Sequence, residues 1–504
     1  MFTNPSKCLM LSGDYYHDPF IEELASKTPN QIIVRTQLSH TNDIRMSFGQ
    51  QINSADCVAR VLRHVQEIIN DTNILQTNYT IVYNNKHRKW KYTNDDSLIS
   101  QLYATKEFGD IGASDYDKRW VALRRVGHKA IVNYSTNNRY VQTVCDCVDS
   151  TILAISETES VKPFQPNGYL FLMSMNIINN TLFRKSIGLT DDEYSLTKLF
   201  SRDIISELGS LRILLDVSPV FSWLLPGTAN KLLDHIRQFN DLLANSSDNA
   251  GTASSSSSSS SSDNNNDDNV DLCDSLIQAK RDGIRDNKQW SQYLTDKNLS
   301  LIVSNLYDTG VLTFDDTTQW MLLLMTYYPR CQLRLRTEIM DNIGGRQRLP
   351  RHDDRQQCHY VMAFIAETLR FVSLFSFYHK SMEISTIDKY TIPKGTSLII
   401  YLRYIMHNKT NWPNSDQFQP ERFIDPETGH YMANRLPQFV PFGIGARQCV
   451  AEKLTIAGLF LVCVRFIQST KQIVLSDSQG IGGHPGNSER YVPYPYKLVI
   501  EPNL

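Results

Sequence analysis

The chain of 504 residues has no excess of charge of either sign: 51 Lys and Arg stand against 53 Asp and Glu, a net of −2. Domains that neutralise a polyanion are strongly basic, so this balance argues against nucleic acid as a partner. It also has no cysteine pair at zinc spacing. Nine cysteines (Cys8, Cys57, Cys145, Cys147, Cys273, Cys331, Cys358, Cys449 and Cys463) are scattered and odd in number, and Cys145 with Cys147 forms only a CxC. This pattern reads as reduced thiols in a cytosol-facing compartment and excludes a disulfide framework. A third lack is a long apolar run at the start, which reads Met1-Phe2-Thr3-Asn4-Pro5. With no transmembrane anchor in this sequence, the expectation is a soluble or peripheral protein.

One composition break is present, from about 245 to 271, with nine consecutive serines (Ser254 to Ser262) followed by an Asp/Asn run. Such a tract buries nothing to offset its ordering entropy, and is expected to be a disordered surface loop. Periodic apolar segments flank it, so it interrupts one domain spanning 1–504 and does not divide two. Helical patterns dominate. Val58 to Ile69 places apolar residues on one helix face. Trp320 to Tyr328 predicts a buried helix stopped by Pro329, and Val361 to Phe375 and Leu454 to Ile467 are also helical. A turn at Lys389 to Thr396 opens a strand over Ser397 to Tyr401, with earlier strands near Gln31 to Arg35 and Tyr79 to Tyr83. The expected fold class is mainly α with a minor β-sheet subdomain.

The stretch Phe442-Gly443-Ile444-Gly445-Ala446-Arg447-Gln448-Cys449 stands directly before the helical pattern starting near Glu452. Its two glycines allow a tight bend and a close backbone approach to a flat ligand. A cysteine at a helix N-terminus has its thiolate stabilised by backbone N–H groups and the dipole. Arg447 can reach an anionic group at the ligand's edge. Taken alone, the same loop fits a structural turn holding a buried thiol.

With its neighbours it resembles the cytochrome P-450 superfamily, whose haem loop reads Phe-x-x-Gly-x-x-x-Cys-x-Gly. Phe442, Gly445 and Cys449 match in spacing, while Ala451 replaces the last glycine. Glu367-Thr368-Leu369-Arg370 matches the Glu-x-x-Arg helix, and Pro420-Glu421-Arg422-Phe423 the segment whose arginine it clamps. These three charged residues are expected to be structural, not catalytic. Trp120-Val121-Ala122-Leu123-Arg124 matches a Trp-x-x-x-Arg helix that addresses a haem propionate, with Arg447 and His379 expected at the other. The resemblance implies the P-450 fold, with haem b (iron protoporphyrin IX) between two long helices, Cys449 as the metal ligand, and Phe442, Gly443 and Gly445 shaping its loop. It extends from about Gly13 onward, and only the serine tract falls outside it.

The oxygen-activating helix of the family carries Ala/Gly-Gly-x-Asp/Glu-Thr. Counting back from Pro329 gives Thr309-Gly310-Val311-Leu312-Thr313, so Gly310 and the catalytic hydroxyl of Thr313 are kept and Leu312 replaces the acid. A second register, Asp315-Asp316-Thr317-Thr318, keeps an acid but no preceding glycine and shifts the helix by four residues. The reading preferred is Gly310 with Thr313. The resemblance then implies a monooxygenase inserting one oxygen atom from O2 into a lipophilic, steroid-like substrate. Electrons are expected from a separate NADPH-dependent flavoprotein reductase, docked on Lys118, Arg119, Arg125 and Lys453. The implied location is the endoplasmic reticulum membrane, by peripheral contact or through a first segment the chain as written lacks. The lost acid keeps open an isomerase or dehydratase that does not use O2, and a haem protein without turnover remains a third reading.

Overall fold

The computed structural model describes residues 111–198 and 271–503, short stretches excepted, together with Cys8–Leu9 and Trp90–Lys91. In chain order the elements are β1 (Cys8–Leu9), β2 (Trp90–Lys91), α1 (Lys118–Tyr134), α2 (Asn138–Glu159), α3 (Asn167–Phe183) and α4 (Asp192–Lys198). After residue 270 come α5 (Leu272–Arg285), α6 (Asp296–Tyr327), α7 (Pro329–Asn342) and α8 (His359–Val372). Then follow β3 (Phe377–Ser381), β4 (Ser385–Ile387), β5 (Tyr390–Ile392), β6 (Ser397–Ile400) and α9 (Leu402–His407). The chain ends with α10 (Glu452–Ser469), β7 (Thr470–Ser478), β8 (Gly483–Pro485), β9 (Tyr491–Pro493) and β10 (Tyr496–Pro502). The mainly helical expectation holds, and the sheets are small.

The central element is α6. Its 32 residues span about 48 Å. Thr295 caps its start, its side chain accepting from the Asn298 N–H at 3.2 Å. From Val311 to Thr326 every side chain but Thr313 is buried, because α3, α8 and α10 pack around it. Pro329 both ends this helix and occupies the first turn of α7, where its missing N–H has no intrahelical partner to lose. A four-stranded sheet of order β1-β6-β3-β2 lies to one side, with β1 parallel to β6 and the other pairs antiparallel. The pairs β7–β10, β4–β5 and β8–β9 are antiparallel ribbons.

Three boundaries differ from expectation. The stretch Lys389 to Thr396, expected as a turn, contains β5, which pairs with β4. The helix expected to reach Phe375 stops at Val372, because Ser373 adopts a left-handed conformation (φ 45°) that reverses the chain. The serine tract was expected to run through Asp271, but Asp271 caps α5. Its carboxylate accepts from the Asp274 N–H at 2.7 Å while Asp274 reaches back, a capping box. The rest of the tract, the helix over 58–69 and the strands near 31–35 and 79–83 lie outside the described residues. Among the described residues, no helix is long and apolar enough to cross a membrane.

Candidate functional site

Cys449 sits where a loop enters α10. Gly443 (φ 73°) and Gly445 (φ 79°) both take the left-handed conformation that side chains disfavour, which is why the loop needs glycine there. Their turns let the Cys449 N–H return to the Phe442 carbonyl at 2.8 Å, closing the loop on itself. Ala451 has φ −102°, an ordinary value, so alanine replaces the family's glycine without strain. Burial pushes the Cys449 thiol up. Backbone N–H groups of Ala451 and Glu452 and the charge of Arg124 pull it down, against Glu452. On balance the thiol is held above its ordinary value, with the N–H groups at the start of α10 and Arg124 opposing the effect of burial.

The residues expected at the ligand's rim converge from α1. Asp117 starts this helix, accepting from the Trp120 N–H at 2.7 Å. Trp120 is 2% exposed. Its indole lies between two guanidiniums, Arg447 at 4.1 Å and Arg124 at 5.3 Å from the ring centre. Its indole N–H donates to the Ile111 carbonyl at 3.1 Å. Arg124 donates to the Gln448 carbonyl beside Cys449, and Arg447 donates to the Ser114 carbonyl at 2.6 Å. The three side chains expected to meet carboxylates are thus brought together, two of them cationic, with backbone carbonyls as their partners here. His379 lies on β3 opposite Leu398 of β6, and its side chain lies outside the described residues.

Burial separates the two registers on α6. Thr313 is half-buried, whereas Thr317 is 4% exposed and Asp315 and Asp316 are fully buried. Asp315 accepts from the Gln319 amide at 2.8 Å, part of the packing of α6. Of the two candidate hydroxyls, Thr313 is the more accessible. Leu312 is 7% exposed, so the acid's position points into the protein. A cavity of about 40 Å³ lies between the helices, lined by Leu306, Gly310 and Phe314 of α6 and by Ala451, Leu454 and Thr455 beside Cys449. Gly310 is closely packed there: a Cβ would meet Ile178 of α3 at 3.3 Å.

Below the loop, Glu367 and Arg370 of α8 are fully buried and paired at 2.6 Å, with Arg422 on the same carboxylate at 3.2 Å. Arg370 also donates to the carbonyls of Met406 (2.8 Å) and Ser415 (3.0 Å). The expected clamp is present, and it ties the loop leading to Cys449 to α8. Two contributors were missed from sequence: His128, whose Nδ1 lies 3.2 Å from the Val450 carbonyl, and Gly458, whose bare backbone lets α10 lie against Phe314 and Tyr140. Neither belongs to a motif, and only the three-dimensional packing marks them.

A thiol at a helix end and two arginines beside an indole suit a metal-bearing ligand with an anionic edge. The Cytochrome P450 family model matches residues 70–480. The chain is similar to steroid 17-alpha-hydroxylase/17,20 lyase of Macaca fascicularis, 27% identical over 382 residues, 74% of this chain and 73% of that protein. The Felis catus protein of the same name is 26% identical over 405 residues, 77% of this chain and 76% of that one. A zebra fish cytochrome P450 solved with progesterone has the same fold, with a TM-score of 0.67 at 20% identity, covering 82% of this chain and 88% of that one. The chain belongs to the cytochrome P450 family: it is a monooxygenase with a haem iron cofactor.

Proposed function

We propose that the chain is a haem-thiolate monooxygenase of lipophilic, steroid-like substrates, with Cys449 as the axial ligand of a haem b iron. The carrying observation is Cys449 itself, seated on the N–H groups of Ala451 and Glu452 with Arg124 near. Haem supplies the oxygen chemistry, one atom of O2 going to substrate and the other to water, and a thiolate ligand favours the O–O cleavage this needs.

The chain's own residues position and protect. Gly443 and Gly445 shape the loop with Phe442, and Gly310 lets α6 lie close against Ile178 of α3. Trp120, Arg124 and Arg447 hold the carboxylate edge, joined by His379 from the sheet. Thr313 holds a proton at the open face of α6, its hydroxyl donating to the Thr309 carbonyl at 2.8 Å between transfers. The steroid class rests on the names of the relatives, and the endoplasmic reticulum membrane follows from the same likeness.

Electrons come from an NADPH-dependent flavoprotein reductase. The sequence of α1 carries Lys118, Arg119, Arg124, Arg125, His128 and Lys129 and no carboxylate. Lys118, Arg125, His128, Lys129 and nearby Lys453 are exposed, with Val121 and Ile444 open among them. A cationic face with apolar spots beside the cysteine loop suits an acidic electron donor.

A second reading has one observation behind it: the buried Leu312 where the family keeps an acid, which suits an isomerase or dehydratase that needs no O2. Purified protein with reductase, NADPH and progesterone as the probe separates the two. Hydroxylated progesterone formed only with reductase supports the monooxygenase. Reductase-free rearrangement of a lipid hydroperoxide, with no oxygenated progesterone, would overturn it.

A further inference from the structure

Two peptide groups donate an N–H to the Cys449 sulfur, those of Ala451 and Glu452. How strongly each donates depends on what its own carbonyl accepts, because a peptide polarised at oxygen binds harder through its N–H. The peptide joining Ala451 to Glu452 is polarised by the helix: the Ala451 carbonyl accepts from the Thr455 N–H at 2.8 Å, in the opening turn of α10. One residue earlier, the peptide joining Val450 to Ala451 is polarised from outside α10. Its carbonyl lies 3.2 Å from Nδ1 of His128 on α1. A carbonyl only accepts, so Nδ1 carries the hydrogen and donates.

His128 stands four residues after Arg124, on the same face of α1. The two side chains hold the carbonyls on either side of Cys449, those of Gln448 and Val450. Their consequences for sulfur differ. The peptide held by Arg124 carries the Cys449 N–H, which donates to the Phe442 carbonyl at 2.8 Å. The peptide held by His128 carries the Ala451 N–H, which donates to sulfur. A continuous chain therefore runs from Nδ1 of His128 to the Val450 carbonyl, through that peptide to the Ala451 N–H, and on to Sγ of Cys449.

We propose that His128 is a positioning residue that tunes this sulfur. By polarising the Val450–Ala451 peptide it strengthens the Ala451 N–H bond to Cys449 and raises the reduction potential of a haem iron held there. The inference rests on the haem-thiolate reading above. Its sign follows from charge: an electron added to iron makes the thiolate ligand more negative, and a hydrogen bond to sulfur stabilises the more negative state. Its size follows from cooperativity. Strengthening a hydrogen bond to a charged group by about 10–30% changes the equilibrium constant for reduction on the order of twofold, ~18 mV for one electron.

Haem-loaded protein is titrated with dithionite and redox mediators, and the iron–sulfur stretching frequency of oxidised samples is read by resonance Raman. Neither readout uses the reductase, so the place of His128 on the cationic face of α1 does not enter. His128→Leu is expected to lower the potential by ~18 mV and to raise the iron–sulfur frequency, with the thiolate–carbon monoxide band kept. His128 is exposed, so the change opens no buried cavity, and His128→Ala is a second variant without a donor. His128→Asn places a neutral amide N–H where Nδ1 stood and is expected to restore both values. An apolar variant that keeps the carbon monoxide band and shows the wild-type potential and frequency overturns the proposal. So does a lowered potential that His128→Asn leaves unrestored, which assigns the effect to charge or packing. A wild-type chain that binds haem yet lacks the carbon monoxide band overturns the haem-thiolate reading itself, and the tuning with it.

Discussion

Glu367 and Arg370 have no exposed side-chain surface, and the carboxylate also accepts from the Gln419 N–H at 2.8 Å as well as from Arg422. Removing one partner of such a buried pair strands a charge away from water. Glu367→Ala is therefore expected to cost about 3–5 kcal/mol, read as a lower urea midpoint and a smaller soluble haem-loaded fraction. Arg422 has 9% of its side chain exposed, so Arg422→Ala should cost less. Equal losses would contradict the burial argument. The sequence showed which residues form this clamp, because Glu-x-x-Arg places both charges on one helix face and the Pro-Glu-Arg-Phe segment follows in order. It could not show that Arg370 also closes off the carbonyls of Met406 and Ser415, since backbone acceptors leave no mark in side-chain spacing.

At the scale of elements, the contact of α10 with α6 and α2 depends on one missing side chain. A Cβ at Gly458 would lie 2.8 Å from a ring carbon of Phe314 and would also strike the Tyr140 hydroxyl. That hydroxyl is already committed, donating to the Leu454 carbonyl at 3.2 Å. Gly458→Ala should destabilise the fold by about 1–3 kcal/mol despite alanine's better helix propensity, and thermal unfolding of the haem-loaded protein checks it. A rise in midpoint would contradict the packing. The middles of α6, α8 and α10 were legible, because long apolar periodic runs leave few alternatives to a buried helix. Their ends were not: a left-handed Ser373 and a capping Asp271 depend on backbone conformations that neighbouring apolar spacing does not encode. The β8–β9 ribbon escaped notice for a related reason. Strands of three residues such as β8 and β9 are too short to show alternation.

Charge and pH act on the whole molecule. His407, at the end of α9 beside the Met406 carbonyl that Arg370 holds, has its pKa lowered to about 3 by burial and by Arg403 and Arg370. The native state thus keeps this imidazole neutral over a range in which the unfolded chain protonates it. Its contribution is complete above about pH 6.5, the ordinary histidine value, and is lost as pH falls towards 3. The slope is at most about 1.4 kcal/mol per pH unit. Urea unfolding between pH 7 and pH 4 should show a shallower acid decline for His407→Gln than for the wild type, and equal slopes would contradict this assignment. The cationic face around α1 makes a separate prediction. Arg125→Glu with Lys453→Glu should slow reduction by the flavoprotein several-fold at low salt and flatten its salt dependence, leaving the carbon monoxide spectrum unchanged.

The functional reading rests on Cys449 holding iron. The most direct test is the absorption spectrum of the reduced, haem-loaded protein under carbon monoxide. A Soret band red-shifted to the position of a thiolate–iron–carbon monoxide complex is expected for the wild type, and its loss in Cys449→Ser. A haem-loaded wild-type chain without that band, or a Cys449→Ser chain that keeps it, would contradict the assignment.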